Sequence, residues 1–103
     1  TTLEFLNTLS NMYYRKSDYS SSMKKRHTFF LEYIRKNYYM HTENIDSKFI
    51  QILSNKSNVP EEIIKEIFSL YEMEQDTYML PEETYMNYNE ALEKFYNIAK
   101  NKP

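Results

Sequence analysis

The sequence predicts an all-α protein, a compact bundle of about five amphipathic helices in a single domain. Three observations carry that expectation. Apolar residues recur at three- and four-residue spacing along most of the chain. Two Pro-Glu-Glu triplets, at Pro60 and Pro81, have the residue order of helix starts. There is no glycine among the 103 residues, where average usage would give about 7%. Glycine supplies positive φ in tight hairpins and lets backbone approach phosphates closely. Its absence argues against turn-rich β folds and excludes the glycine-rich nucleotide loops. Asparagine is the usual substitute at left-handed helix ends, and Asn37, Asn55, Asn58 and Asn101 all lie where a helix could stop.

The first helix is expected over Leu3–Lys16. Thr1 and Glu4 have capping-box spacing, and Leu3, Leu6, Leu9, Met12 and Tyr13 share one face, widened by Phe5. The short polar run Ser17–Ser22 competes with helical hydrogen bonds and predicts a loop or N-cap. A second helix follows over Ser22–Tyr38, with Met23, His27, Phe30, Leu31, Ile34 and Tyr38 inward and Phe29 and Tyr33 flanking. Thr42–Ile45 form a connection, and Asp46 caps a short third helix to Lys56 through Phe49, Ile50 and Leu53. Asn55–Asn58 make a turn. Pro60 then opens a fourth helix with Ile63, Ile64, Ile67, Phe68 and Tyr71 inward. An acidic loop at Glu74–Met79 precedes a fifth helix from Pro81 to Lys100, on which Tyr85, Tyr88, Leu92, Phe95, Tyr96 and Ala99 recur.

Composition narrows the function classes. Hydrophobic residues at 41% and charged residues at 27% are ordinary for a globular domain. A chain of this length buries enough surface to fold as one unit. With no cysteine, disulfides, thiolate nucleophiles and thiolate zinc sites are excluded, which fits a reducing compartment. No signal peptide is visible, and no apolar run approaches the roughly 20 residues of a membrane span. The chain begins at Thr1 rather than methionine and is expected to be a fragment of a longer protein.

Charge is uneven. Residues 1–56 hold nine Lys/Arg and five Asp/Glu, a net +4, whereas residues 57–103 hold four and ten, a net −6. Either the two halves complement each other within the fold, or the basic half faces a partner or a membrane surface. Arg15, Lys16, Lys24, Lys25 and Arg26 cluster around the expected Ser17–Ser22 loop. Lys24, Lys25 and Arg26 stand near a helix start, the unfavourable end for cations. They form a solvated face or a partner surface.

Catalytic apparatus is missing. His27 and His41 are fourteen residues apart, without the i, i+3 or i, i+4 spacing of a helical metal pair. His27 is expected as a half-buried core or hydrogen-bonding residue. Glu61/Glu62 and Glu82/Glu83 are adjacent pairs that diverge by about 100° on a helix and suit helix starts. No metal, no cofactor and no enzymatic activity are expected. The eleven tyrosines suit the rim of a small core or an interface. Tyr13, Tyr14, Arg15 and Lys16 also resemble a stacking platform for single strands, against which the acidic net charge argues. Phe49–Lys56, the turn and Pro60–Tyr71 are arranged like a helix-turn-helix, the alternative reading as a nucleic-acid-binding domain. There Glu61 and Glu62 would face phosphates, with Lys65 alone to offset them.

One stretch carries a family resemblance. Tyr13-Tyr14, Phe30-Leu31-Glu32-Tyr33-Ile34-Arg35, Tyr38-Tyr39, Thr42, Phe49-Ile50, Leu53-Ser54 and Ser57-Asn58-Val59-Pro60-Glu61-Glu62 resemble the C-terminal cytoplasmic tail of a family of uncharacterised bacterial membrane proteins. The similarity is strong over about half of the chain. Relatives carry an extracytoplasmic domain similar to glutamine amidotransferases and are often encoded beside MoxR-type ATPases. Many have glycine where this chain has Asn58, a conservative change if that position is left-handed. The resemblance implies that Thr1 follows a membrane span. The basic half would then lie near the inner leaflet, in line with the positive-inside bias.

Together these readings predict a helical protein-interaction module on the cytoplasmic face of a membrane-anchored parent. Its partner would be a protein or the remainder of the parent chain, with an anionic membrane surface as a further candidate and nucleic acid disfavoured. Arg15, Lys16, Lys24, Lys25 and Arg26 are the expected contact surface.

Overall fold

A computed structural model describes the backbone of residues 2–76 and 80–100, and the side chains of residues 19–75 and 80–100. The helices are α1 (Thr2–Tyr38), α2 (Ser47–Ser57), α3 (Glu61–Asp76) and α4 (Glu82–Lys100), with no strand among the described residues. The all-α class holds, with four helices where about five were expected.

The difference lies in α1, where the first two expected helices are one. The loop expected at Ser17–Ser22 is continuous helix. Serine, aspartate and tyrosine cost a few tenths of a kcal/mol each in a helix, about 3 kcal/mol over those six positions. Tertiary contacts oppose that cost. The Tyr19 ring stacks on Tyr85 with centroids 5.0 Å apart, and its hydroxyl donates to Glu82 Oε1 over 3.1 Å. The Ser20 hydroxyl donates to the buried carboxylate of Glu74. A ring stack contributes about 1 kcal/mol and a hydrogen bond to a charged group about 2 kcal/mol. The stack and the bond to buried Glu74 alone match the propensity deficit. Unbroken, α1 measures about 55 Å at 1.5 Å per residue, the longest dimension of the molecule, 55 Å.

Helix ends follow their local chemistry. Asp46 caps α2, its Oδ1 accepting from the Phe49 N–H at 2.8 Å. Asn58 ends α2 in the left-handed region at φ 66°, its N–H donating to the Ser54 carbonyl, as the missing glycine requires. The Pro60 and Pro81 carbonyls accept the first backbone bonds of α3 and α4, from Ile63 and Tyr85. α1 ends at Tyr38, as expected, and the left-handed residue that follows it is Tyr39 at φ 55° rather than an asparagine. α3 departs from expectation: Glu74–Asp76, expected to begin an acidic loop, are helical, and residues 77–79 of that expected loop lie outside the described residues. The buried Glu74 side chain, tied to Ser20 and 3.8 Å from Lys24 Nζ, holds that last turn against α1.

All four helices share one core. Met23, Phe30 and Ile34 from α1, Leu53 from α2, Ile64 and Ile67 from α3, and Tyr88 and Phe95 from α4 are completely buried. Val59 and Leu80, each just before a proline, are also buried and close the core at the two helix starts. Leu31, Tyr38, Ile50, Ile63, Tyr71, Tyr85, Tyr96 and Ala99 pack around the core as a partly buried shell.

Candidate interaction surface

The basic surface lies on α1. Lys24, Lys25 and Arg26 are exposed, and Lys24 pairs at 3.8 Å with Glu74. Arg15 and Lys16 lie on the same helix, their side chains outside the described residues. No loop gathers these five residues: Lys16 and Lys24 are eight residues apart on one rod, about 12 Å along its axis. Phe29, expected only to flank the core, is 58% exposed. It stands four residues after Lys25 and three after Arg26, spacings that bring side chains together on a helix surface. An exposed aromatic ring thus shares a helix face with two cations that form no ion pair among the described residues. The signal was in the sequence as i, i+3 and i, i+4 spacing, but the same spacing also fits the edge of a core stripe.

A second feature joins the end of α1 to α2. Tyr39, Met40 and His41, which follow α1, and Lys48, Phe49, Ile52 and Lys56 of α2 with its cap Asp46 line a groove of about 330 Å³. Lys56 Nζ donates to the Tyr38 carbonyl over 2.7 Å, which ties the end of α2 to the end of α1. Tyr39 is 87% exposed at φ 55°, a conformation rare for a bulky residue. Nothing in the sequence marked Tyr39 for positive φ, since asparagine is the residue that signals it.

The two histidines part company. His41 is exposed in the groove wall. His27 is 5% exposed. Its Nδ1 lies 2.7 Å from the Tyr88 hydroxyl, its ring stacks on Tyr71 with centroids 3.6 Å apart, and Phe68 meets it edge-on at 5.5 Å. Burial holds its pKa down to about 4, so the ring is neutral at pH 7. Burial likewise pushes the Tyr88 phenol far up. This is a sealed core bond rather than an acid–base pair facing substrate. Most of the described tyrosines form the rim of the core, Tyr88 its centre and Tyr39 its exception. Tyr13 and Tyr14 lie outside the described side chains.

The helix-turn-helix reading meets the expected obstacle. α2, the turn at residues 58–60 and α3 do follow one another closely. The exposed residues of the first turns of α3 are Glu62, Lys65 and Glu66, a net negative surface that phosphates would oppose. Among the described residues, no group of three histidine, aspartate or glutamate side chains is placed to hold a metal, and no helix is long and apolar enough to cross a membrane.

Neither a curated relative nor a solved structure matches this chain. The family model described as the DUF4350 C-terminal helical domain matches residues 6–99. With nearly the whole chain covered by that one helical model, the protein belongs to the DUF4350 C-terminal helical domain family.

Proposed function

We propose that this domain is a helical interaction module that binds an acidic protein segment through α1. The observation that carries the reading is Phe29, exposed beside Lys25 and Arg26 on one helical face. A partly apolar, cationic strip suits a partner offering carboxylates around an apolar anchor, because charge complementarity sets orientation while the ring contributes the buried area. The surplus positive charge of residues 1–56 favours the same class of partner. The cytoplasmic, membrane-proximal setting of the parent rests on the family resemblance described above, and the net positive charge of residues 1–56 agrees with it.

The test is capture from native extracts with the chain and with a variant carrying Lys25→Glu, Arg26→Glu and Phe29→Ser. The three side chains are exposed and Lys24, paired with the buried Glu74, is left in place, so the variant is expected to fold. It should lose one or more acidic partners that the unmodified chain retains. An unchanged set of captured proteins would refute the reading. Binding to anionic vesicles with no protein partner at all would replace it with a membrane-surface role.

A further inference from the structure

The groove between the end of α1 and α2 has a charge pattern of its own. Lys48, Ile52 and Lys56 follow one another at four-residue spacing on one face of α2, so an apolar side chain sits one turn from a lysine on either side. The two lysines are eight residues apart, about 12 Å along the helix. Tyr39, left-handed and 87% exposed, lines the same groove. The bond from Lys56 Nζ to the Tyr38 carbonyl places that ammonium at one end of the groove. At the other, Lys48 is exposed and forms no ion pair among the described residues.

We propose that this groove receives an extended acidic peptide segment in which an apolar residue lies midway between two carboxylates four residues apart. An extended chain rises about 3.3 Å per residue, so residues four apart span about 13 Å, which matches the lysine spacing. The apolar residue then falls against Ile52, Phe49 and the Tyr39 ring, and the carboxylates reach Lys48 and Lys56. Asp46 opposes the carboxylate at the Lys48 end. Its Oδ1 is already engaged by the Phe49 N–H at 2.8 Å, but its charge remains. The inference rests on the interaction-module reading and assigns it a second contact surface, separate from the Phe29 face.

The test is a titration of isotope-labelled protein with the peptide acetyl-Glu-Ala-Leu-Ala-Glu-amide, followed by amide chemical shifts. Shifts are expected at Tyr39, Met40, His41, Lys48 and Ile52. Lys48→Glu, in the first turn of α2 where a carboxylate suits the helix dipole, should weaken binding about fivefold, as expected for losing one exposed ion pair. Asp46→Asn keeps a competent helix cap and should tighten binding about twofold by removing an opposing exposed charge. Equal binding of acetyl-Gln-Ala-Leu-Ala-Gln-amide would overturn the assignment, as would shifts absent from the groove. Shifts confined to Lys25, Arg26 and Phe29 would refute the groove while leaving the module reading intact.

Discussion

At the scale of single residues, His27 shows how burial fixes chemistry. The ring lies between Tyr71 and Phe68 with Tyr88 on Nδ1. In the unfolded chain it takes a proton near pH 6.5, but in the fold only near pH 4. Between those values the unfolded state binds more protons. The stability due to His27 is therefore whole above about pH 6.5 and is lost as pH falls towards 4, on the order of 3 kcal/mol in total. Ring chemical shifts should stay flat from pH 7 to pH 5 while the urea midpoint declines. A ring titrating near pH 6.5 in the folded protein would disprove this. The sequence placed His27 on the inward stripe of its helix and expected it half-buried. Its partners Tyr71 and Tyr88 were legible as inward residues, but their meeting at one ring was not, because a stripe gives the face and not the rotation of the facing helices.

At the scale of elements, the lesson is α1. Periodicity placed Met23, His27, Phe30 and Ile34 inward on its second half, the stripe expected at Leu3–Tyr13 lying outside the described side chains, and the two proline openings located α3 and α4 within a residue or two. The Ser17–Ser22 run gave the wrong answer because local propensity is weak beside tertiary contacts. Tyr19 and Ser20, inside that run, are the residues that dock on Tyr85, Glu82 and Glu74. Helix continuity there should therefore depend on α3 and α4. A chain with Glu74→Ala and Tyr85→Ala should show faster amide hydrogen exchange at Ser21–Lys24, by about tenfold or more, since removing a stack and a charged hydrogen bond loosens the turn by roughly 1.4 kcal/mol or more. Unchanged exchange would mean that α1 holds itself straight without those contacts. Glu74 escaped the sequence reading for a related reason: a glutamate in an acidic run reads as solvated unless its partner's position is known.

At the scale of the whole molecule, the contrast between a basic first half and an acidic second is met directly by Lys24 and Glu74, whereas Lys25, Arg26, Lys36 and Lys48 point to solvent. The asymmetry thus remains available at the surface, which the sequence left open between the two alternatives. The shared aromatic core has one more consequence, in alkali. The chain has eleven tyrosines and no tryptophan, so its near-ultraviolet absorption is dominated by phenols. Burial pushes Tyr38 up to about 12 and raises Tyr96 and, furthest, Tyr88. Each contributes stability that is present below about pH 10 and lost as pH rises, because the unfolded phenols give up their protons first. The Tyr88 phenolate band should thus appear together with the loss of helical circular dichroism, in one transition. Its appearance in a chain that is still fully helical would show that the phenol reaches water without unfolding. Colour, in this protein, is a readout of the core.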